Sequence, residues 1–284
     1  MENNLQISNL SKHYKDFSLK NISFDLPCGA IMGLIGENGA GKTTTIKAIL
    51  NMIKIDGGQI LIFGKDHIAG EQKIKEQVGI VLDKGFFYEE INPEEICLIM
   101  LKTVKAFDKA KFYEYLKLFE LPSKPIKSFS RGMLVKLKIA IALSRPARLL
   151  ILDEPTSGLD PVVRTEILDL LQEFVQDEEK SILISSHITS DLEQIADYIS
   201  YINNGELVFC QNKDSLLEQY GILRCDQSEL SLIDKSLIVG TRKNQFNIEA
   251  LIKNKAAIKR AYPKLTVDKA TIDEIMLYHV RRDK

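Results

Sequence analysis

Gly36-Glu37-Asn38-Gly39-Ala40-Gly41-Lys42-Thr43 fits the pattern G-x-x-x-x-G-K-[ST]. Residue types at that spacing suit one chemistry, the gripping of a polyphosphate. Glycines let backbone N–H groups wrap the phosphates, a helix N-terminus adds positive potential, and Lys42 reaches the outer phosphates. The hydroxyl of Thr43, followed by Thr44, offers oxygen to a magnesium ion. Further along, Leu149-Leu150-Ile151-Leu152 runs directly into Asp153-Glu154. An apolar run ending in two acids reads as a core strand that delivers carboxylates at its C-terminal end, where open α/β sheets bind ligands. Adjacent acids permit two roles: Asp153 holding the metal through water, and Glu154 accepting a proton from, or orienting, the water that attacks the terminal phosphate. Taken alone, the same pair would read as an acidic turn after a strand; the glycine loop upstream makes the catalytic reading the better one.

Positioning these groups requires alternating strands and helices. Leu5 and Ile7, then Leu19, Ile22, Phe24 and Leu26, alternate with polar neighbours, as in half-buried strands of a small antiparallel sheet. Ala30 to Ile35 is a continuous apolar strand feeding the glycine loop, and Lys42 to Ile53 an apolar-periodic helix leaving it. Short strands are expected at Gln59 to Phe63 and Val78 to Leu82. From Asn92 to Leu143 the texture is helical: Phe112, Tyr115, Leu116 and Phe119 recur at helix spacing, and Pro122 and Pro125 break the run. The core then resumes with helix Val162 to Phe174, strand Ser181 to Ser185, helix Ile188 to Ile195, and a hairpin turned by Asn204-Gly205. This order predicts an α/β fold with a mainly parallel sheet, an antiparallel β subdomain and a helical subdomain inserted at about 90–144. After about Lys213 the pattern changes to short strands near Ile222 to Arg224 and Leu237 to Val239, then helices ending in Ile272 to Val280. Residues 1–212 are therefore expected as one domain and 213–284 as a small C-terminal α+β domain.

Composition narrows the function classes. The chain has 284 residues, 45% hydrophobic and 27% charged, with a formal net charge of -1, so no basic excess favours a nucleic-acid backbone as partner. The apolar runs Ile96 to Met100 and Ile139 to Leu143 fall far short of a membrane span. Met1-Glu2-Asn3-Asn4 lacks a basic segment leading into an apolar one, and Cys28, Cys97, Cys210 and Cys225 have no metal-ligand or CxxC spacing. A cytoplasmic protein with reduced thiols is expected.

With these motifs in hand, residues 3–212 resemble the ATP-binding-cassette family. Phe129-Ser130-Arg131-Gly132-Met133 is similar to its signature motif, Ser157-Gly158-Leu159-Asp160 to its D-loop, Ser185-Ser186-His187 to its switch histidine, and Tyr14 to the aromatic that stacks on adenine. The resemblance implies a P-loop NTPase core that binds ATP and Mg2+, and an ATPase subunit working on a separate integral-membrane permease from the inner face of the cell membrane. It also implies a head-to-tail pair of cassettes, two copies of this chain or this chain and a paralogue. Ser130 and Gly132 of one subunit would then cap the γ-phosphate held by Lys42 of the other. Ser130 suits that task on its own terms, because it opens an apolar-periodic helix and presents a hydroxyl beside free N–H groups; it equally suits a plain helix cap. Asp160-Pro161 likewise reads as a helix start.

The sequence departs from the family pattern in three places. Where the family has a glutamine that contacts magnesium and senses the membrane partner, this chain has Asp83; Arg131 stands for a glycine and Met133 for a glutamine. Asp83 still offers an oxygen to the metal but adds negative charge beside a triphosphate. Arg131 either brings positive charge near the partner's nucleotide or is solvated. The Ser-basic-Gly-Met form looks like that of ATPases in bacterial two-component exporters, and the C-terminal helix, Ile272, Ile275, Met276 and Tyr278 to Val280, resembles theirs. Export of an antibiotic, an antimicrobial or cytolytic peptide, or a lipid-like compound is the expected function. An importer subunit, a soluble cassette acting on ribosomes or DNA, and a module using ATP only to dimerise are the alternatives.

Overall fold

A computed structural model describes residues 2–83, 88–243 and 247–282. The chain divides into two compact units, 1–209 and 210–284. In the first, strands β1 (Asn3–His13) and β2 (Ser18–Pro27) pair antiparallel, with Leu5 opposite Leu26 and Ile7 opposite Phe24. Their alternating apolar side chains are buried, as period-two patterning requires. Strand β3 (Ile31–Ile35) is buried along its whole length and leads through the glycine loop into α1 (Lys42–Ile49). The expected helix to Ile53 stops a turn early because Asn51 adopts a left-handed conformation, and Met52 N–H returns to the Lys47 carbonyl.

Strands β4 (Gly57–Ile62) and β5 (Lys65–Asp66) extend the antiparallel part, and helix α2 (Glu71–Gln77) precedes β6 (Val78–Val81). The helical subdomain follows: α3 (Pro93–Thr103), α4 (Lys109–Leu118) and α5 (Arg131–Leu143). Asn92 caps α3 in a reciprocal box with Glu95, and Asp108 caps α4. Ile96, Met100, Phe112, Leu116, Phe129 and Leu137 form a separate core for these helices, with Tyr115 and Phe119 packed on its edge. The chain then completes the α/β core with β7 (Leu149–Asp153), α6 (Pro161–Phe174), β8 (Ser181–Ser185), α7 (Thr189–Ile195), β9 (Tyr198–Asn203) and β10 (Glu206–Asn212). Asn204 and Gly205 both have positive φ, as a tight hairpin turn demands.

Strand order β5-β4-β1-β2-β10-β9-β3-β8-β7-β6 makes one ten-stranded sheet. The antiparallel subdomain is thus continuous with the parallel core rather than a separate small sheet. The join is slender, one pairing of Glu206 with Lys20, reinforced by their side chains at 2.8 Å. In the parallel half, β3, β7 and β8 are buried on both faces, which explains their unbroken apolar runs.

The second unit holds α8 (Lys213–Gln219), β11 (Tyr220–Cys225), α9 (Gln227–Leu232), β12 (Ile238–Lys243), β13 (Ile248–Lys253), α10 (Lys255–Ala261), β14 (Thr266–Lys269) and α11 (Ile272–Arg282). Its antiparallel sheet runs β12-β13-β11-β14. Sequence patterning found β11 and β12 but placed only helices after them. Ala250, Leu251 and Ile252 of β13 are all buried, so the strand shows no alternation, and β14 is too short to show one. Ile272, Ile275 and Tyr278 of α11 are buried; the side chain of Val280 lies outside the described residues. Cys28, Cys97, Cys210 and Cys225 are free thiols.

Candidate functional site

Because β8 lies between β3 and β7, three strand ends meet at one edge of the sheet. The glycine loop leaves β3, the acids leave β7, and Ser185 closes β8 between them. Gly36 has φ 156°, and a Cβ there would sit 2.3 Å from the Ile202 carbonyl. At Gly41, φ is 119° and a Cβ would meet Leu19 at 2.6 Å. Only glycine lets this backbone turn pass so close to the sheet. Glu37, Asn38 and Gly39 are exposed at the loop's crest, and Ala40 is buried beneath it.

Lys42 is almost completely buried, with Nζ donating to the Gly36 carbonyl at 2.8 Å and lying 3.4 Å from Glu154 Oε1. An ammonium so desolvated needs both partners. Thr43 donates its hydroxyl to Asp153 Oδ2 at 2.9 Å, and Ser185 Oγ donates to Asp153 Oδ1 at 2.6 Å. Hydroxyl and carboxylate oxygens are thereby gathered beside the loop, the hard donor set a small divalent cation prefers. Among the described residues, no group of three or more His, Cys, Asp or Glu is arranged to hold a metal by itself.

Glu154 is left-handed, at φ 52°, a conformation costing a non-glycine residue roughly 1–2 kcal/mol. Its N–H is held by the Ser185 carbonyl and hydroxyl, both at 3.1 Å. This turn swings the carboxylate into the cleft. Oε2 accepts from His187 N–H at 3.2 Å and lies 2.5 Å from His187 Nδ1, while Oε1 is buried without a hydrogen bond. With the proton on Nδ1, the ring donates to the carboxylate and fixes its orientation.

Of these groups, Lys42, Thr43, Asp153 and Glu154 line a cleft of about 900 Å³ that also includes Asp16, Phe17, Asn38, Thr44, Met52 and Asp83; Ser185 and His187 bear on it through Asp153 and Glu154. The sequence reading missed Phe17, a half-buried aromatic three residues beyond Tyr14. Tyr14 lies outside this cleft, 47% exposed, in a shallower adjoining one that shares Asp16, Phe17 and Gly39, with Lys12 Nζ 5.4 Å from its ring. Ser130 and Gly132 do not line the cleft either. Ser130 is exposed and caps α5, its hydroxyl accepting from Met133 N–H at 3.2 Å. Asp160 caps α6 through Val162 and Val163 N–H, both 3.1 Å. Ser185 is named in the sequence only as part of the His187 motif, without its bond to Asp153, and the nearly buried Asp191, which binds Arg164 and so joins α6 to α7, sits in a run that reads as ordinary helix.

The sequence profile of the family described as "ABC transporter" matches residues 19–157. A bacitracin transport ATP-binding protein of Bacillus licheniformis is 36% identical over 208 residues, covering 72% of this chain and 68% of that protein. A lantibiotic transport ATP-binding protein of Streptococcus pyogenes is 32% identical over 214 residues, covering 74% and 91% respectively. Among solved structures, an ATP-binding subunit of an ABC transporter superposes with a TM-score of 0.67 at 28% identity, over 75% of this chain and 91% of that one.

Proposed function

This chain belongs to the ABC transporter family of ATP-binding subunits, which hydrolyse ATP to power transport through a separate membrane protein, and from that premise we propose how it works and what it moves. Residues 1–212 form the ATPase domain and 213–284 an accessory domain. The observation that carries the reading is the buried Glu154 Oε1, which accepts no hydrogen bond and lies 3.4 Å from the Lys42 ammonium in the cleft. An oxygen so placed can accept a proton from an attacking water, while His187 holds the other oxygen still.

When a triphosphate arrives, the loop from Gly36 to Thr44 receives it on backbone N–H groups, and Lys42 exchanges the Gly36 carbonyl for phosphate oxygens. Thr43 and Asp153 supply oxygens fit for Mg2+, which would neutralise phosphate charge when bound. Tyr14, in the adjoining cleft that shares Asp16, Phe17 and Gly39, would stack on the base. Ser130 and Gly132, outside this cleft, serve the nucleotide of a second cassette subunit, most simply a second copy of this chain. ATP binds the closed pair better than the open pair, and that difference drives the motion.

The cargo is exported and is a peptide antibiotic or similar amphiphile, a reading supported by the names of the two relatives. No helix among the described residues is long and apolar enough to cross a membrane. The chain works at the cytoplasmic face, held there by its permease. Purified protein should hydrolyse ATP with Mg2+ and stop when the metal is chelated. Absence of turnover in both conditions, with and without co-purified permease, would defeat the proposal.

A further inference from the structure

Two of the residues that depart from the family pattern meet in this fold. Asp83 Oδ1 lies 3.5 Å from Arg131 Nη2. The same helix holds residue 83 a second time: Lys138, two turns after Arg131 on the same face of α5, donates Nζ to the Leu82 carbonyl at 2.8 Å and the Asp83 carbonyl at 2.9 Å. Burial pushes the Lys138 amine below the ordinary lysine range, with Asp83 opposing that fall and Arg131 adding to it. On its other side the Arg131 guanidinium lies against Gly158, where an added Cβ would come within 2.9 Å of Nη1.

We infer that Arg131 is a positioning residue acting through Asp83: it neutralises, within one chain, the carboxylate that this protein places in its nucleotide cleft. Asp83 lines the cleft with Lys42 and Thr43. An unpaired carboxylate there repels a polyphosphate, and the fixed guanidinium removes most of that repulsion. Each substitution is thus tolerated because of the other. The inference rests on the nucleotide-binding reading of the cleft.

Both side chains are about half exposed, so the effect is modest, a few-fold in affinity. The test is Mg-ADP binding by titration calorimetry, which reads the cleft of a single chain, for wild type, Arg131→Ala, Asp83→Asn and the double variant. Arg131→Ala should weaken binding about threefold to fivefold, and Asp83→Asn should stay within about twofold of wild type. In the double variant, removing the carboxylate should restore affinity to within about twofold of wild type. Four results would overturn the inference: unchanged binding by Arg131→Ala, which makes Arg131 merely solvated; a double variant as weak as Arg131→Ala, which puts Arg131 on the nucleotide directly; Asp83→Asn weakened as much as Arg131→Ala, which makes the pair a mechanical tether; and Asp83→Asn weakened beyond Arg131→Ala, which makes the carboxylate a needed ligand. Wild type that binds no Mg-ADP overturns the nucleotide reading, and this inference with it; wild type that binds normally keeps the two failures apart.

Discussion

The glycine loop with its acids and the first turn of α5 present opposite kinds of order. At the cleft, Lys42, Thr43, Asp153 and Glu154 are joined to one another and to Ser185 and His187 beside them, and Lys42, Asp153 and Ser185 are withdrawn from solvent. At α5, Ser130 is exposed and its hydroxyl closes only its own helix. The first region is a site already assembled within one chain. The second leaves an exposed hydroxyl at a helix N-terminus, a group of the same anion-binding type, which the proposed function assigns to a second subunit's nucleotide.

The sharpest way to break that contrast is Glu154→Gln, which keeps the side chain's shape and removes its basicity. Turnover should fall by about 10²–10⁴ while nucleotide binding persists; equal turnover in an ATPase assay would remove Glu154 from the chemistry. Next, Lys42→Ala should weaken Mg-ATP binding by about 100-fold in calorimetry, since it deletes an ammonium buried beside the loop. Ser130→Asp sharpens the other side. Aspartate caps a helix as well as serine does, so the urea midpoint should hold, yet a carboxylate facing a second subunit's phosphate should lower turnover about tenfold or more. Unchanged turnover would leave Ser130 a cap and nothing else. The smallest effect is expected for Asp160→Ala, which loses two N–H partners and should cost about 1 kcal/mol in urea unfolding.

Sequence legibility followed the same division. The glycine loop, the acids after Leu152 and the order of strands could be read because local spacing carries their chemistry. What spacing cannot carry is the company residues keep across the fold. Asp83 and Arg131 looked like two separate departures, and only the packing of α5 beside β6 shows them as one pair. Phe17 belongs to no motif, yet it lines the cleft and Tyr14 does not. Strand β13 was hidden for a different reason, since burial on both faces erases alternation. The accessory unit carries 14 Lys and Arg against 10 Asp and Glu over residues 210–284, a formal +4 that the near-neutral whole chain conceals.

The most direct measurement of the proposed shared site is sedimentation of Glu154→Gln with and without Mg-ATP. The expected result is a nucleotide-dependent shift to twice the 32.1 kDa chain mass, lost again when Ser130→Asp is added. A protein that binds Mg-ATP tightly yet stays at the single-chain mass, or that pairs equally well with Asp at 130, would contradict it.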